Sequence, residues 1–259
     1  MRAIILAAGL GKRLTPPGDT KINASGEAGP PPKCLLKFGG QTLLERHLKL
    51  LRQAGVDEVV IAVGYAPQQI EAELDRLHWQ PRPQLVLNPR YELGSVLSVH
   101  CVAEALTAGG DVLLMDADVL YDRRMLDALC AGVHADRMLM DRGFQPGEEP
   151  VKICLRDGLP VEFRKRLAPD LVYDTWGESV GFFRFTEATA RRFAELVQGY
   201  IDTGRADQPH EEAIRDLLLE NPARIDTADV TGAPWLEIDF PADLVRARDE
   251  ILPQLQSIP

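Results

Sequence analysis

Paired cysteines, long apolar runs and an excess of basic residues are all missing from this sequence of 259 residues. The four cysteines are scattered and form no CxxC pair. They indicate neither a zinc site nor a disulfide framework, and they favour buried thiols in a reducing compartment. The apolar run at the N-terminus covers only about eight residues, too few to cross a membrane. Acidic residues outnumber basic ones by 39 to 29, which argues against nucleic-acid and anionic-membrane partners. We therefore expect a soluble, cytoplasmic protein.

Several familiar motifs are missing as well. A dinucleotide-binding turn needs a third glycine in GxGxxG, and a P-loop needs GKS or GKT. The glycine-containing stretch 9–13 has neither. The histidines form no arrangement with a nucleophile and an aspartate, so the sequence does not predict covalent catalysis by a triad.

Strands and helices alternate along the first half of the chain, which predicts βαβ units and an α/β fold. We expect a Rossmann-like, mostly parallel mixed sheet flanked by helices, with ligands at the carboxyl ends of its strands. After residue 134 the pattern changes and indicates a smaller mixed-sheet lobe. The predicted strands are 2–8, 59–63, 84–88, 111–115, 151–155, 160–164, 180–185 and 235–239. Helices are predicted after the capping box Thr42–Glu45 and at 67–78, 95–107, 187–203, 210–219 and 241–252. No interdomain linker is visible, so 1–259 is taken as one domain.

The first candidate site is the stretch Leu6-Ala7-Ala8-Gly9-Leu10-Gly11-Lys12-Arg13. Glycines directly after a strand let backbone N–H groups approach a phosphate. Arg13 can bind a phosphate with two hydrogen bonds, and Lys33 can supply a flexible point charge. An ordinary glycine turn with solvent-facing cations is the alternative.

Two groups of carboxylates form the second candidate site. Asp116 and Asp118 follow a buried strand, while Glu237 and Asp239 share one face of another strand. Carboxylate oxygens in such positions suit a hard cation such as Mg²⁺. The alternative for each group is a role in capping a helix.

The stretch LAAGLGKRL, followed by PPK and the later acidic motifs, resembles the signature of the sugar-phosphate and choline-phosphate nucleotidyltransferase superfamily, which is MobA-like. The resemblance implies the nucleotide-diphospho-sugar transferase type of fold. It further implies that Leu6, Ala7, Ala8 and Gly9 hold the base and ribose of an NTP, and that Gly11, Lys12 and Arg13 hold its triphosphate. Lys33 would brace the attacked phosphorus.

The same resemblance assigns roles in the rest of the chain. It implies metal ligands at Asp118 and Asp239, with Glu237 beside them, and a second catalytic lysine at Lys152. Residues 88–98 resemble a base-recognition loop, with Asn88, Gly94 and Ser95 as its polar or small members, and Trp176 and Glu178 resemble part of an acceptor pocket. Tyr173, Trp176 and Trp235 could form an aromatic face for a quaternary ammonium. Asp116 and Glu211 are further candidates for contact with the acceptor.

The implied activity is Mg²⁺-dependent transfer of CMP from CTP to a phosphorylated small molecule of the phosphocholine, inositol 1-phosphate or aminoalkylphosphonate class. A hexose-1-phosphate enzyme using UTP, TTP or GTP, a molybdopterin-type transferase and a non-catalytic nucleotide-binding subunit are the alternatives. Residues 1–133 would then bind the NTP and residues 134–259 the acceptor. The segment 14–32, rich in proline and glycine, is expected to close over the NTP as a lid. Whether the protein forms a homodimer is left open.

Overall fold

A computed structural model describes residues 1–14, 30–131 and 136–258 of the chain. Most of the segment 14–32, with the expected lid, lies outside these residues.

Short strands alternate with helices through the first half of the chain, and strands predominate between residues 137 and 185. The strands are β1 (Arg2–Ala7), β2 (Lys37–Phe38), β3 (Gln41–Thr42), β4 (Glu58–Val63), β5 (Gln84–Leu87), β6 (Val112–Asp116), β7 (Val119–Tyr121), β8 (Arg137–Asp141), β9 (Lys152–Arg156), β10 (Leu159–Arg164), β11 (Thr175–Phe185), β12 (Asp226–Asp229) and β13 (Trp235–Glu237).

The helices are α1 (Leu43–Gln53), α2 (Pro67–Leu77), α3 (Ser95–Cys101), α4 (Ala103–Thr107), α5 (Arg123–Cys130), α6 (Glu187–Asp202), α7 (His210–Glu220) and α8 (Pro241–Arg246). Single 3₁₀ turns lie at Lys12–Leu14, Lys33–Leu35 and Leu252–Gln254, and a π turn at Ala247–Ile251 continues α8. None of the helices in the described residues is long and apolar enough to cross a membrane.

Nine of the described strands form one mixed sheet. Its main path runs β10-β9-β11-β6-β1-β4-β5, and β8 joins β11 to β12. β1 pairs in parallel with both β4 and β6, while β11 runs antiparallel to β6, β8 and β9. The carboxyl ends of β1, β4 and β6 therefore lie at one edge of the sheet.

The predicted fold class is confirmed, with helices packed against an α/β sheet. Alternate residues of the central strands enter two separate buried clusters, with Ile5 and Met115 in one and Ile4 and Leu114 in the other. Both faces of these strands are covered, which is why their sequences read as continuous apolar runs.

Two of the regions predicted from the sequence differ in detail from the structure. The strands expected in a smaller lobe are hydrogen-bonded into the main sheet, because the long strand β11 pairs with β6 at one end and with β9 at the other. The helix predicted over 95–107 is divided at Val102 into α3 and α4. The capping box of α1 is confirmed in part, since the Thr42 side chain accepts a hydrogen bond from the Glu45 N–H.

Candidate active site

The turn after β1 is held in place by backbone hydrogen bonds from neighbouring segments. Ala117 N–H donates to the Leu6 carbonyl at 3.2 Å, and Tyr65 N–H donates to the Ala8 carbonyl at 3.1 Å. Gly11 has a φ of +63°, which favours glycine. The turn then continues into the 3₁₀ segment that carries Lys12 and Arg13.

A cavity of about 320 Å³ opens above this turn at the carboxyl edge of the sheet. Leu6, Ala7, Gly9, Gly11, Lys12 and Arg13, all predicted to contact the NTP, line it together with Leu10, Lys33, Cys34, Tyr91, Glu92, Ala117 and Asp118. Tyr91 and Glu92 were not predicted individually, although they belong to the stretch 88–98 that resembles a base-recognition loop. The turn, the lysine and one carboxylate thus share a single cavity.

Asn88, Gly94 and Ser95 do not line this cavity in the structure. The Asn88 side chain is buried and its hydrogen bonds stay within residues 88–98. It donates to Ser98 Oγ and accepts from Arg90 N–H. A side chain at Gly94 would lie 2.5 Å from the carbonyl oxygen of Gln208. Ser95 is the first residue of α3, and its hydroxyl accepts a hydrogen bond from His210 N–H at 2.8 Å. All three residues therefore have structural contacts.

Lys33 bridges the two groups of carboxylates. Its Nζ lies 2.7 Å from Asp118 Oδ2 and 2.6 Å from Asp239 Oδ1. Burial alone would lower the pKa of Lys33, but the charges of Asp118 and Asp239 outweigh it and raise the pKa well above its ordinary value. The side chain is therefore a fixed positive charge.

The three predicted metal ligands lie together. One oxygen from each of Asp118, Glu237 and Asp239 falls within 4.8 Å of the others. The cause is the pairing of β13 with β7, which sets Glu237 opposite Val119, next to Asp118. Desolvation by the surrounding protein and the negative charges of Asp118 and Asp239 raise the pKa of Glu237 well above its ordinary value, although the residue is exposed at the surface. Three hard oxygen ligands under mutual repulsion suit a divalent cation such as Mg²⁺.

Arg13 connects the glycine turn to the other side of the site. Its guanidinium donates to Glu149 Oε2 at 2.6 Å and to Asp239 Oδ1 at 3.2 Å. The same group lies 5.2 Å from the centre of the Phe240 ring. Its position is thus set by residues more than a hundred positions away in sequence.

Asp116 belongs to a partly buried cluster with His210 and Glu211. A side chain at Gly181 would lie 2.2 Å from Asp116 Oδ2, so only glycine permits this packing. His210 Nδ1 lies 3.1 Å from Glu211 Oε2, and its Nε2 lies 3.9 Å from Asp116 Oδ1. Burial raises the pKa of Asp116 to about 7. It also opposes protonation of His210, but Glu211 and Asp116 outweigh that effect and raise the His210 pKa to about 9.

Lys152, expected to be the second catalytic lysine, is bound to backbone carbonyls. Its buried Nζ donates to the carbonyls of Gly147, Pro150 and Lys165. All three N–H bonds of the ammonium group are therefore used within the protein. Lys165 lies instead beside a small cavity that is also lined by Asp116, Glu211 and Glu237, and its Nζ is 3.4 Å from Glu149 Oε2.

A further cavity, of about 330 Å³, includes Glu178, Glu237 and Asp239 in its lining. Burial and the neighbouring Asp141 raise the pKa of Glu178 to about 7. Trp235 also lines this cavity, whereas Trp176 packs against Phe144 and Tyr173 at centroid distances of 5.2 and 5.9 Å. The three aromatic residues predicted to form a cage thus do not surround this cavity together.

Residues 3–175 match the sequence profile of the MobA-like NTP transferase domain. A similar protein is the CMP-5'-(3-aminopropyl)phosphonate synthase of Streptomyces rubellomurinus, 27% identical over 94% of this chain and 37% of the relative. The bifunctional IPC transferase and DIPP synthase of Rubrobacter xylanophilus is 27% identical over 96% of this chain and 52% of the relative. This chain therefore spans a third to a half of the length of those proteins. The CTP:phosphoglutamine cytidylyltransferase of Campylobacter jejuni is 22% identical, over 94% of this chain and 98% of the relative.

Solved structures share the fold. The inositol-1-phosphate CTP transferase from T. maritima superimposes with a TM-score of 0.73 and 22% identity, over 98% of this chain and 94% of the other. The CTP:phosphocholine cytidylyltransferase from Streptococcus pneumoniae gives a TM-score of 0.69 and 19% identity, over 96% of this chain and 97% of the other.

Proposed function

The chain belongs to the MobA-like NTP transferase family, and we propose that it is a Mg²⁺-dependent cytidylyltransferase that moves CMP from CTP onto a phosphorylated small molecule. One observation carries the proposal: Arg13 and Lys33, the cations at the glycine turn, both contact Asp239 of the carboxylate cluster. A triphosphate bound at the turn would therefore have its α-phosphate beside the place where a divalent cation fits.

The proposed reaction needs no covalent enzyme intermediate. An oxygen of the acceptor phosphate or phosphonate forms a bond to the α-phosphorus of CTP. The bond from that phosphorus to the bridging oxygen breaks, and pyrophosphate leaves with the electron pair. The acceptor oxygen is already ionised at neutral pH, so no general base is required. Arg13 and Lys33 would stabilise the negative charge that accumulates on the transferred group.

Asp118, Glu237 and Asp239 would hold the Mg²⁺ ion, which when bound neutralises charge on the phosphates that it contacts. The three carboxylates converge within 4.8 Å, which supports this assignment. The negative charges of Asp118 and Asp239 also have a structural role. Both carboxylates form ion pairs with the largely buried Lys33 ammonium, which would otherwise be unpaired.

Each half of the chain would bind one of the two substrates. The cavity at the glycine turn is lined entirely by residues from 6 to 118, and the cavity at Glu178 by residues from 141 to 246. We assign the NTP to the first and the acceptor to the second half. Lys165, at the small cavity beside Glu237, is the better candidate for the acceptor phosphate because Lys152 is fully hydrogen-bonded.

CTP is the proposed nucleotide because two of the relatives that span most of this chain are named for CTP or CMP. The test is pyrophosphate release with CTP, UTP, GTP or ATP, each with Mg²⁺ and a panel of phosphorylated alcohols, aminoalkylphosphonates and sugars. We expect CTP to support the fastest release. Faster release with UTP or GTP and a hexose 1-phosphate would favour the hexose-1-phosphate alternative, and binding without release would favour a regulatory subunit.

A further inference from the structure

The cavity at Glu178 contains an unusual pair of carboxylates on neighbouring strands. Glu178 on β11 lies directly opposite Asp141 on β8. Like charges at directly opposed positions of an antiparallel pair are destabilising. In agreement, burial and Asp141 together raise the pKa of Glu178 to about 7. Repulsion between the two carboxylates therefore destabilises the folded protein, and a bound cation would remove that repulsion.

The charge of the lysine opposite Glu178 lowers the pKa of that carboxyl, but the lysine forms no hydrogen bond or ion pair with it. Lys152 on β9 lies opposite Glu178 on its other side, but its Nζ donates to three backbone carbonyls. No hydrogen bond or ion pair to the Glu178 carboxylate is formed within residues 1–14, 30–131 and 136–258. Arg246 also lines the cavity, but it lies 3.7 Å from Asp243 Oδ1. Glu178 is thus a carboxylate with free hydrogen-bonding capacity.

One aromatic side chain is fixed beside the pair. The Trp235 indole donates from Nε1 to Asp141 Oδ2 at 2.8 Å, and Asp141 Oδ1 accepts from Gly143 N–H at 2.7 Å. These bonds hold the Asp141 carboxylate in position and leave it further lone pairs. The cavity also includes Glu237 and Asp239 of the proposed metal site, so one molecule could reach both.

The chemistry of the walls discriminates between types of cation. A quaternary ammonium cannot donate hydrogen bonds and is best bound by several aromatic faces. Phe144, Trp235 and Phe240 line this cavity. The Phe144 ring packs edge-on against Trp176, which is not in the lining, and the Phe240 ring is already in contact with Arg13. A primary ammonium has three N–H donors that need acceptors. The Asp141 and Glu178 carboxylates have lone pairs left to accept such bonds, and they therefore suit a primary ammonium better.

We propose that the cavity binds the primary ammonium group of the acceptor between Asp141 and Glu178, with the phosphate or phosphonate of the same molecule directed to the divalent cation that Glu237 and Asp239 would hold. This inference rests on the proposed function, and it narrows the acceptor to an aminoalkyl phosphate or phosphonate.

The test uses three acceptors that share a two-carbon skeleton: phosphoethanolamine, phosphocholine and 2-hydroxyethyl phosphate. With the full chain, CTP and Mg²⁺, we expect kcat/KM for phosphoethanolamine to exceed the other two values about tenfold or more, the size of one charge-assisted hydrogen bond. Glu178→Gln should raise KM for phosphoethanolamine by about the same factor, with kcat little changed. The kcat and KM for 2-hydroxyethyl phosphate should be the same in Glu178→Gln as in the wild type.

The control is Glu148→Gln, which removes a charge from an exposed side chain paired with Arg166 and should leave all three values unchanged. Glu178→Gln should unfold at the same temperature as the wild type or higher, because it removes the repulsion with Asp141. Equal or faster turnover with 2-hydroxyethyl phosphate or phosphocholine in the wild type would overturn the inference while leaving nucleotidyl transfer intact.

A separate binding measurement distinguishes failure of the inference from failure of the proposed function. If no acceptor supports turnover with any NTP, nucleotidyl transfer is contradicted. Calorimetric titration of the same three compounds into the protein with Mg²⁺ then tests whether the cavity at Glu178 binds an ammonium group. Tighter binding of phosphoethanolamine that is lost in Glu178→Gln supports the ammonium site, and equal binding of the three compounds contradicts it.

Discussion

The Lys33 ammonium sits between two carboxylates that belong to opposite halves of the chain, 2.7 Å from Asp118 Oδ2 and 2.6 Å from Asp239 Oδ1. The same two carboxylates form the proposed metal site with Glu237. A divalent cation and the Lys33 ammonium would therefore compete for the same oxygens. Metal binding would release Lys33 towards the α-phosphate, which links the position of this side chain to the presence of the metal.

Replacing Lys33 with methionine should separate these two roles. We expect Lys33→Met to bind Mn²⁺ or Mg²⁺ more tightly than the wild type in the absence of nucleotide, because no ammonium then competes. Turnover should nevertheless fall by about a hundredfold or more, since one charge at the α-phosphate is lost. Calorimetric metal titration and steady-state kinetics measure the two effects, with exposed Lys37→Met as the control. Weaker metal binding in Lys33→Met would contradict the competition.

The carboxylates Asp118 and Asp239 should each be needed for rate. Asp118→Asn and Asp239→Asn preserve shape but remove a charged ligand, so we expect turnover to fall by about a hundredfold or more in each. Circular dichroism should show a folded protein. The exposed Asp229→Asn serves as the control for charge. Near-normal turnover in either site variant with Mg²⁺ present would remove that residue from the metal site.

Gly64 should be needed for nucleotide binding because it allows Tyr91 to approach the glycine turn. A side chain at Gly64 would lie 2.4 Å from Tyr91 Cβ and 2.8 Å from the Ala8 carbonyl oxygen. Gly64→Ala should therefore move a wall of the nucleotide cavity and weaken CTP binding, measured as the Kd by titration. Gly199→Ala is the matched control, since nothing lies within 4 Å of its added carbon. Equal CTP affinity in both variants would show that Tyr91 does not shape the site.

His210 should make stability depend on pH. Its pKa is about 9 in the folded protein, because the charges of Glu211 and Asp116, with a contribution from Asp118, outweigh burial. A raised pKa means that protonation favours the folded state, so this contribution is full below about pH 6.5 and is lost as the pH rises through 9. This contribution to the free energy of unfolding is on the order of 3 kcal/mol.

The unfolding free energies of wild type and His210→Gln, measured in urea at pH 6.5 and 9.5, test this sign. The difference in unfolding free energy between the two proteins should be smaller at the higher pH. The exposed His78→Asn serves as the control for replacing a histidine. A wild-type advantage that grows with pH would mean that His210 is neutral in the folded protein.

Local patterns predicted the parts of the site that lie next to each other in sequence. Gly9 to Arg13 follow an apolar strand, and Glu237 and Asp239 share a strand face, so their grouping could be inferred without knowledge of the fold. The contact of Lys33 with both Asp118 and Asp239 depends on the pairing of β13 with β7. Its participants were predicted, but its geometry was not.

Side-chain direction and long-range partners set the limit of the sequence prediction. Lys152 and Lys165 both flank turns in the second half of the chain, and only the three carbonyls around Lys152 Nζ show that it is occupied. Ser95 has a hydroxyl suited to capping its own helix, but it binds His210 N–H, 115 positions later. The strand β12 was missed because the sequence Asp-Thr-Ala-Asp carries no apolar pattern.

The most direct test of nucleotidyl transfer is ³¹P NMR of the complete reaction with CTP, Mg²⁺ and phosphoethanolamine. The account predicts two coupled resonances of a new phosphoanhydride, formed in equal amount with pyrophosphate. Neither should form with Asp118→Asn on the same timescale. Conversion of CTP to CDP and inorganic phosphate, or its recovery unchanged with every acceptor in the panel, would contradict the proposed activity.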